Sequence, residues 1–255
     1  MKICRFTSAQ YPSTVFGAVA NGFVQPLAGE PYTGIVKLGD LIPLASVKLW
    51  APVVPSKIVC VGRNYREHAA ELGNPLPPEP LLFLKAPSSL IGPEEAILLP
   101  TVSRQVEHEG ELGVVIGKTA SQLTDLADPL EYVFGYTCLN DVTARDIQRQ
   151  DVQFTRGKSF DTFCPVGPFV VTGINPLALD LTTRLNGKTT QQGNTKEMAF
   201  AVPSLIRYIS RAMTLFPGDL IATGTPAGVT RMLPGDSVEV EITGIGILRN
   251  RISSL

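Results

Sequence analysis

The sequence predicts a mostly β, mixed α+β protein, and three observations carry that prediction. Its 23 glycines and 21 prolines are spread along all 255 residues instead of gathering in one linker. Between them lie short runs rich in Val, Ile and Leu, which is how strands joined by turns read. Segments with helical periodicity are few, and they do not alternate regularly with strands, so a doubly wound parallel sheet is disfavoured. With 44% hydrophobic residues the chain can build a real core, which excludes intrinsic disorder.

In chain order, residues 1–50 alternate strand-like pieces with turns, as in Thr14-Val-Phe-Gly-Ala-Val-Ala20 and Gly34-Ile-Val-Lys-Leu38. Ala51-Pro-Val-Val-Pro-Ser56 then reads as a joint. The expected organisation is a small N-terminal β domain over 1–50 and a main domain over 51–255. Asn64 is placed to cap a helix over 65–72, with Glu67 reaching back as in a capping box and Gly73 and Asn74-Pro75 stopping it. A second helix is expected after Thr143, with Asp146 three residues on. A third, over 204–215, aligns Leu205, Ile206, Ile209, Ala212 and Met213 on one stripe and reads as a packing helix. Strands are expected over 111–117, 132–139, 168–171, 219–223 and 237–242. Pro217-Gly-Asp-Leu220 and Pro234-Gly-Asp-Ser237 repeat one kind of turn and do not mark a solenoid period.

A formal net charge of −1 leaves no electrostatic footprint for nucleic acid. The first residues lack the apolar stretch of a signal peptide, and no run approaches the roughly 18 apolar residues of a membrane span. Cys4, Cys60, Cys138 and Cys164 lie far apart without a C-x-x-C pair, which argues against a zinc site or a disulfide framework. A cytoplasmic protein is expected, with those cysteines acting as small core residues. His68 and His108 are the only histidines, so a three-histidine zinc site is excluded by count.

The most informative segment is Val106-Glu-His-Glu-Gly-Glu-Leu-Gly-Val-Val-Ile-Gly-Lys118. On a strand Glu109 and Glu111 share a face, because side chains alternate with period two. They lead into Val114-Val-Ile116, a run expected to be buried. Two like charges at the mouth of a core repel and lose hydration, so one takes up a proton unless a cation compensates. Asp141, at the end of the 132–139 strand, supplies a third carboxylate. Three hard oxygen donors suit Mg²⁺, Mn²⁺ or Ca²⁺. A solvated strand edge carrying Glu107, Glu109 and Glu111 is the alternative. Arg145 and Gln148 stand three apart on the second helix, and so do His68 and Glu71 on the first. The latter are a plausible pair for taking a proton from water. Lys158 lies in Arg156-Gly-Lys-Ser-Phe-Asp161, where glycine permits close backbone approach. Surface ion pairs for Arg145 and Lys158 and a helix-face histidine at 68 stay open on spacing alone.

In order, Val61-Gly-Arg-Asn-Tyr-Arg-Glu-His-Ala-Ala-Glu71, Phe83-Leu-Lys85, His108-Glu-Gly-Glu-Leu-Gly-Val-Val-Ile-Gly117, Asp141-Val-Thr-Ala-Arg-Asp-Ile-Gln148, Gly157-Lys-Ser-Phe-Asp161 and Thr223-Gly-Thr-Pro-Ala-Gly228 resemble the fumarylacetoacetate hydrolase family. Each motif alone is weak, but the ordered series is specific, and it covers residues 57–252. The match is nearest the short acylpyruvate hydrolase and oxaloacetate decarboxylase branch. The resemblance implies a β-sandwich or roll with an incomplete barrel, a homodimer, and a divalent metal, Mg²⁺ by availability, on Glu109, Glu111 and Asp141. It implies C–C bond cleavage in small 2-oxo or 1,3-diketo acids through a stabilised enolate. His68 and Glu71 would then activate water, and Lys158 would steady the enolate. Arg145, Gln148 and, through the Gly-Thr-Pro turn, Thr225 would bind substrate, with Arg63 and Lys85 also lining the pocket. Alternatives are an isomerase or decarboxylase of a homoprotocatechuate-type pathway, 2-hydroxyhepta-2,4-diene-1,7-dioate isomerase-like, and a non-catalytic metal-bound protein. The irregular stretch over 73–80 is a candidate lid.

Overall fold

A computed structural model describes residues 1–255. The chain opens with β1 (Lys2–Thr7), β2 (Val15–Ala20) and β3 (Phe23–Pro26), an antiparallel meander. Asn21-Gly22 turns β2 into β3, both residues with positive φ (50° and 79°), the conformation a tight two-residue hairpin demands. Then follow β4 (Ile58–Gly62), α1 (Arg66–Glu71), β5 (Leu81–Lys85), β6 (Ala96–Leu99), β7 (Gly110–Ile116) and β8 (Val133–Asn140). Two short helices, α2 (Arg145–Gln150) and α3 (Thr155–Lys158), precede β9 (Cys164–Val171), β10 (Asp180–Leu185) and β11 (Lys188–Asn194). The chain ends with α4 (Val202–Ala212), β12 (Leu220–Ala222), β13 (Ser237–Ile242) and β14 (Gly246–Ser254).

Two mixed sheets face each other. The larger runs β3-β2-β1-β9-β8-β7-β12-β4-β5, with short strands added at its far edge and along its length. The smaller has the order β11-β10-β13-β14-β6. The mostly β, mixed α+β class expected from punctuation and short apolar runs is what forms, and neither sheet closes into a barrel. β1 pairs with β9 through Lys2↔Val171, so the N-terminal strands extend the main sheet and do not stand apart from it. β7 is buried at every position, as its Val-Val-Ile run requires, because β8 and β12 flank it and a second layer covers it. β13 alternates half-buried and buried residues, with Val238, Val240 and Ile242 facing the core. Gly110 lets β7 pass close beneath β10: a Cβ there would stand 2.1 Å from Thr183 Oγ1. No helix is long and apolar enough to cross a membrane.

The helices differ from expectation in instructive ways. Asn64 does not cap α1; Tyr65 occupies that position with no side-chain cap bond, and the helix covers only Arg66–Glu71. The Asn64 amide instead donates to Thr223 O (2.8 Å) and Phe200 O (3.0 Å) and accepts from Phe200 N (2.8 Å). Thr143 does not cap α2 either, since its hydroxyl donates to Asp141 O at 2.9 Å. Asp146 ties back to Ser103 Oγ and Arg104 N instead. Helix α4 starts earlier than expected because Pro203 suits a first turn, and it ends before the extended Met213. Its buried stripe is Val202, Leu205, Ile206 and Ile209, while Ala212 is exposed. All four cysteines are free and buried.

Candidate metal centre

The open end of the β7–β8 pair builds the site. The ladder continues past Gly110↔Asn140 with Asp141 N donating to Glu109 O at 2.8 Å, which sets these two residues opposite each other. Glu111 follows two residues on, on the same face. One carboxylate oxygen from each of Glu109, Glu111 and Asp141 lies within 4.8 Å of the others. All three residues are buried (4%, 2% and 0% exposed), as is Glu107, so the solvated-edge alternative fails.

Cations from three other segments answer this charge. Lys158 Nζ, at the end of α3, donates to Glu109 (2.7 Å) and Asp141 (2.6 Å). From α2, Arg145 donates to Glu109 (2.5 Å), Glu107 (2.8 Å) and Gln148 Oε1 (2.6 Å). Lys85 Nζ donates to Asp141 (2.7 Å), to Val142 O (3.2 Å) and to the carbonyl of Lys158. Burial alone would raise the Glu109 carboxyl, but Lys158 and Arg145 outweigh it and hold the group well below the usual range. Burial likewise works against the Lys158 ammonium, which Asp141 and Glu109 pull the other way, above its ordinary value.

Glu111 is the exception. It accepts one backbone hydrogen bond, from Gly224 N at 2.7 Å, and has no ion-pair partner. Burial, then Asp141 and Glu109, push its carboxyl well above the usual range. Four buried carboxylates (Glu107, Glu109, Glu111, Asp141) meet three buried cations (Lys85, Arg145, Lys158), which leaves one carboxylate without a cationic partner. A hard divalent cation held by all-oxygen donors supplies what is missing, so the residues present fit such an ion.

The centre opens into a cavity of about 370 Å³ whose walls include His68, Arg63, Arg145, Gln148, Lys158 and Thr225. His68 Nδ1 lies 3.2 Å from Glu71 Oε2. Glu71 stands behind the imidazole, one-third exposed, and its other oxygen accepts Gly228 N at 3.0 Å. Lys85 is a correction: it does not line the pocket but is buried beneath it against Asp141. Thr225 does reach the cavity, but its hydroxyl donates to Gly110 O (2.8 Å) and accepts from Gln191 (2.7 Å). Its proton is therefore already engaged, and the expected bond to a substrate carboxylate is not offered. Gln148, with its oxygen on Arg145, keeps its NH₂ free, and Arg145 keeps two of its five N–H donors.

Sequence reasoning passed over Gln191, which joins the two sheets at this point. Its amide donates to Thr225 Oγ1 and Pro226 O (2.7 Å each) and accepts from Gly110 N (3.0 Å), with His108 Nδ1 at 3.2 Å. No local pattern marks it, since a Thr-Thr-Gln-Gln run reads as any polar strand. Gln191→Leu is expected to leave those partners unmatched at about 1–3 kcal/mol each and to lower turnover by loosening the Thr225 turn. Urea melts alongside steady-state kinetics test this; unchanged values in both would remove Gln191 from the site's support.

His108 is buried beside it, and burial pushes its imidazole down to about 4 from 6.5. In the unfolded chain it takes up a proton near 6.5 while the folded chain refuses one until about 4. Stability is thus expected to fall by about 3 kcal/mol as pH drops through that window. His108→Asn should flatten this part of a pH series of denaturant melts; an unaltered slope would show another group is responsible.

Fold and site together define a protein of two mixed sheets carrying a buried three-carboxylate centre that fits a divalent cation, at the floor of a small cavity lined by charges of both signs. The chain belongs to the fumarylacetoacetate hydrolase family: the family model described as fumarylacetoacetate (FAA) hydrolase C-terminal matches residues 57–253. A second model, Rv2993c-like, N-terminal, matches residues 1–52. An Archaeoglobus fulgidus protein is 51% identical over 83% of this chain and 84% of its own length. The oxaloacetate tautomerase YisK of Bacillus subtilis is 43% identical over 82% of this chain and 74% of its own. Among solved structures, 2-hydroxyhepta-2,4-diene-1,7-dioate isomerase from Mycobacterium marinum superposes with a TM-score of 0.92 at 39% identity, covering 100% of this chain and 98% of that one. Maleylpyruvate hydrolase from Sphingobium, in complex with manganese and pyruvate, gives 0.81 at 32% identity, covering 100% and 99%.

Proposed function

We propose that this protein is a divalent-metal-dependent enzyme acting on small 2-oxo acids through their enolates, and that its best-suited reaction is keto–enol interconversion of an oxaloacetate-type acid. One observation carries the reading: an imidazole held by a carboxylate stands on the wall of a cavity that also presents three buried carboxylates and two buried cations. The relative named an oxaloacetate tautomerase supports it.

Glu109, Glu111 and Asp141 would hold the metal, Mg²⁺ by availability, which when bound supplies Lewis-acid polarisation of the 2-oxo group. Glu71, accepting from Nδ1–H, leaves His68 Nε2 as the base. There it can take a proton from the carbon next to the carbonyl and return it, the transfer that tautomerisation needs. Arg145 and Lys158 place fixed positive charge beside the developing oxyanion without reorganising. The free NH₂ of Gln148 orients the acid.

A second reading is C–C cleavage of acylpyruvates or decarboxylation of oxaloacetate through the same enolate. Its support is Glu71, the one-third-exposed carboxylate paired with the imidazole, and the resemblance to a maleylpyruvate hydrolase. A homodimer in the cytoplasm remains part of the proposal. The deciding assay follows ultraviolet loss of enol-oxaloacetate and, separately, coupled detection of pyruvate, from oxaloacetate and acetylpyruvate, with chelator and then Mg²⁺ added back. Metal-dependent enol loss without pyruvate supports tautomerisation, and pyruvate release supports cleavage. No metal-dependent change in either sinks both.

A further inference from the structure

The geometry points to Arg63, assisted by Arg149, as the group that selects 2-oxo acids bearing a second carboxylate; this rests on the 2-oxo acid reading above and deepens it. Both residues line the cavity. The site's other cations are matched: Lys158, Arg145 and Lys85 sit on Glu107, Glu109 and Asp141. Asp151, also on the cavity wall, accepts from Arg156 Nε at 2.7 Å and from one of its Nη groups at 2.6 Å. Arg63 makes no ion pair or side-chain hydrogen bond although it is half-buried, and Arg149 makes only one long bond, 3.4 Å to Gln105. Positive charge partly withdrawn from water and left unmatched on a cavity wall is a place for an incoming anion, and guanidinium is the cation whose donor fork fits a carboxylate.

The backbone gives an independent reason. Arg63 has φ 56°, the left-handed region that a residue with a Cβ rarely adopts. Its neighbours impose this. Gly62 ends β4 on one side, and on the other Asn64 is clamped to Thr223 and Phe200 by its side chain and to Ala199 N through its carbonyl at 2.8 Å. A strained conformation persists where the surroundings over-determine it, and such positions cluster at ligand clamps. Glycine would fit the turn without strain, yet the turn presents an arginine to the cavity.

The test is calorimetric titration of the Mg²⁺-loaded full chain with 2-oxoglutarate and 2-oxovalerate, which differ in whether the distal end is a carboxylate or a methyl. The wild type is expected to prefer the dicarboxylate by about tenfold or more, the scale of one charge-assisted contact. Arg63→Gln should weaken 2-oxoglutarate far more than 2-oxovalerate and erase most of the preference, and Arg149→Gln should reduce it less. Arg63→Gly should erase it too while raising Tm, because the turn is relieved. Equal weakening of both ligands in Arg63→Gln, or an intact preference, would overturn the assignment. If the wild type binds Mg²⁺ but neither acid, the 2-oxo acid reading itself fails and the selectivity role goes with it.

Discussion

Asp141→Asn is expected to abolish tight divalent-cation binding and to lower turnover by roughly 10²–10³-fold or more, the scale on which losing one preorganised electrostatic partner acts. The substitution keeps the shape and removes the charge, so two consequences can be read apart. The first is at the metal: only Glu109 and Glu111 remain as charged donors, and Glu109 is already engaged by Lys158 and Arg145. The second is in the fold. Lys158 keeps Glu109, but Lys85 is left with carbonyl oxygens alone, and breaking a buried pair from one side costs about 3–5 kcal/mol. Urea melts in chelator measure that loss without the metal, while titration with Mg²⁺ and the enol assay report on the centre. Wild-type Mg²⁺ affinity together with wild-type turnover would remove Asp141 from the ligand set.

His68→Gln is expected to cut turnover by about 10²–10⁴-fold, the range for a lost general base, and to leave Mg²⁺ affinity nearly unchanged. The separation follows from position: His68 lines the cavity but pairs with Glu71 and with none of the three metal carboxylates. Glu71 acts through the imidazole, so Glu71→Gln, which can still accept from Nδ1–H, should lose less than Glu71→Leu. Should hydrolytic cleavage be the reaction, Glu71 also meets water, and Glu71→Gln would suppress cleavage as strongly as the loss of His68. A His68→Gln variant that turned over normally, or that lost Mg²⁺ along with activity, would show that the dyad has been misassigned.

Much of the centre was legible because its signals are local. Glu109 and Glu111 are two apart beside an apolar run, and period two puts them on one face whatever the rest of the chain does. His68–Glu71 and Arg145–Gln148 are i, i+3 pairs on single turns, and both pairs meet as hydrogen-bonded partners. The misread residues have another cause. Asn64 is of a type that favours helix caps, yet its side chain hydrogen-bonds to carbonyls of the surrounding fold instead; Thr223, which it reaches, is 159 residues away. Gln191 was invisible for the same reason, since its partners stand 34 and 81 residues distant.

From the sequence alone followed the strand-rich class, the burial of β7, the convergence of carboxylates on one face and the family. Each of these depends on composition, on residue spacing within one element, or on the order of motifs along the chain. Tertiary structure alone decided which charges neutralise which. Lys158 reaches Asp141 across 17 residues and Lys85 reaches it across 56, while Glu111 is left with one backbone N–H. Tertiary structure also placed Lys85 beneath the pocket, engaged the Thr225 hydroxyl, and left Arg63 unpaired on the wall. The physical reason is that electrostatic energy depends on separation in space and on burial, and neither quantity exists until distant segments have packed.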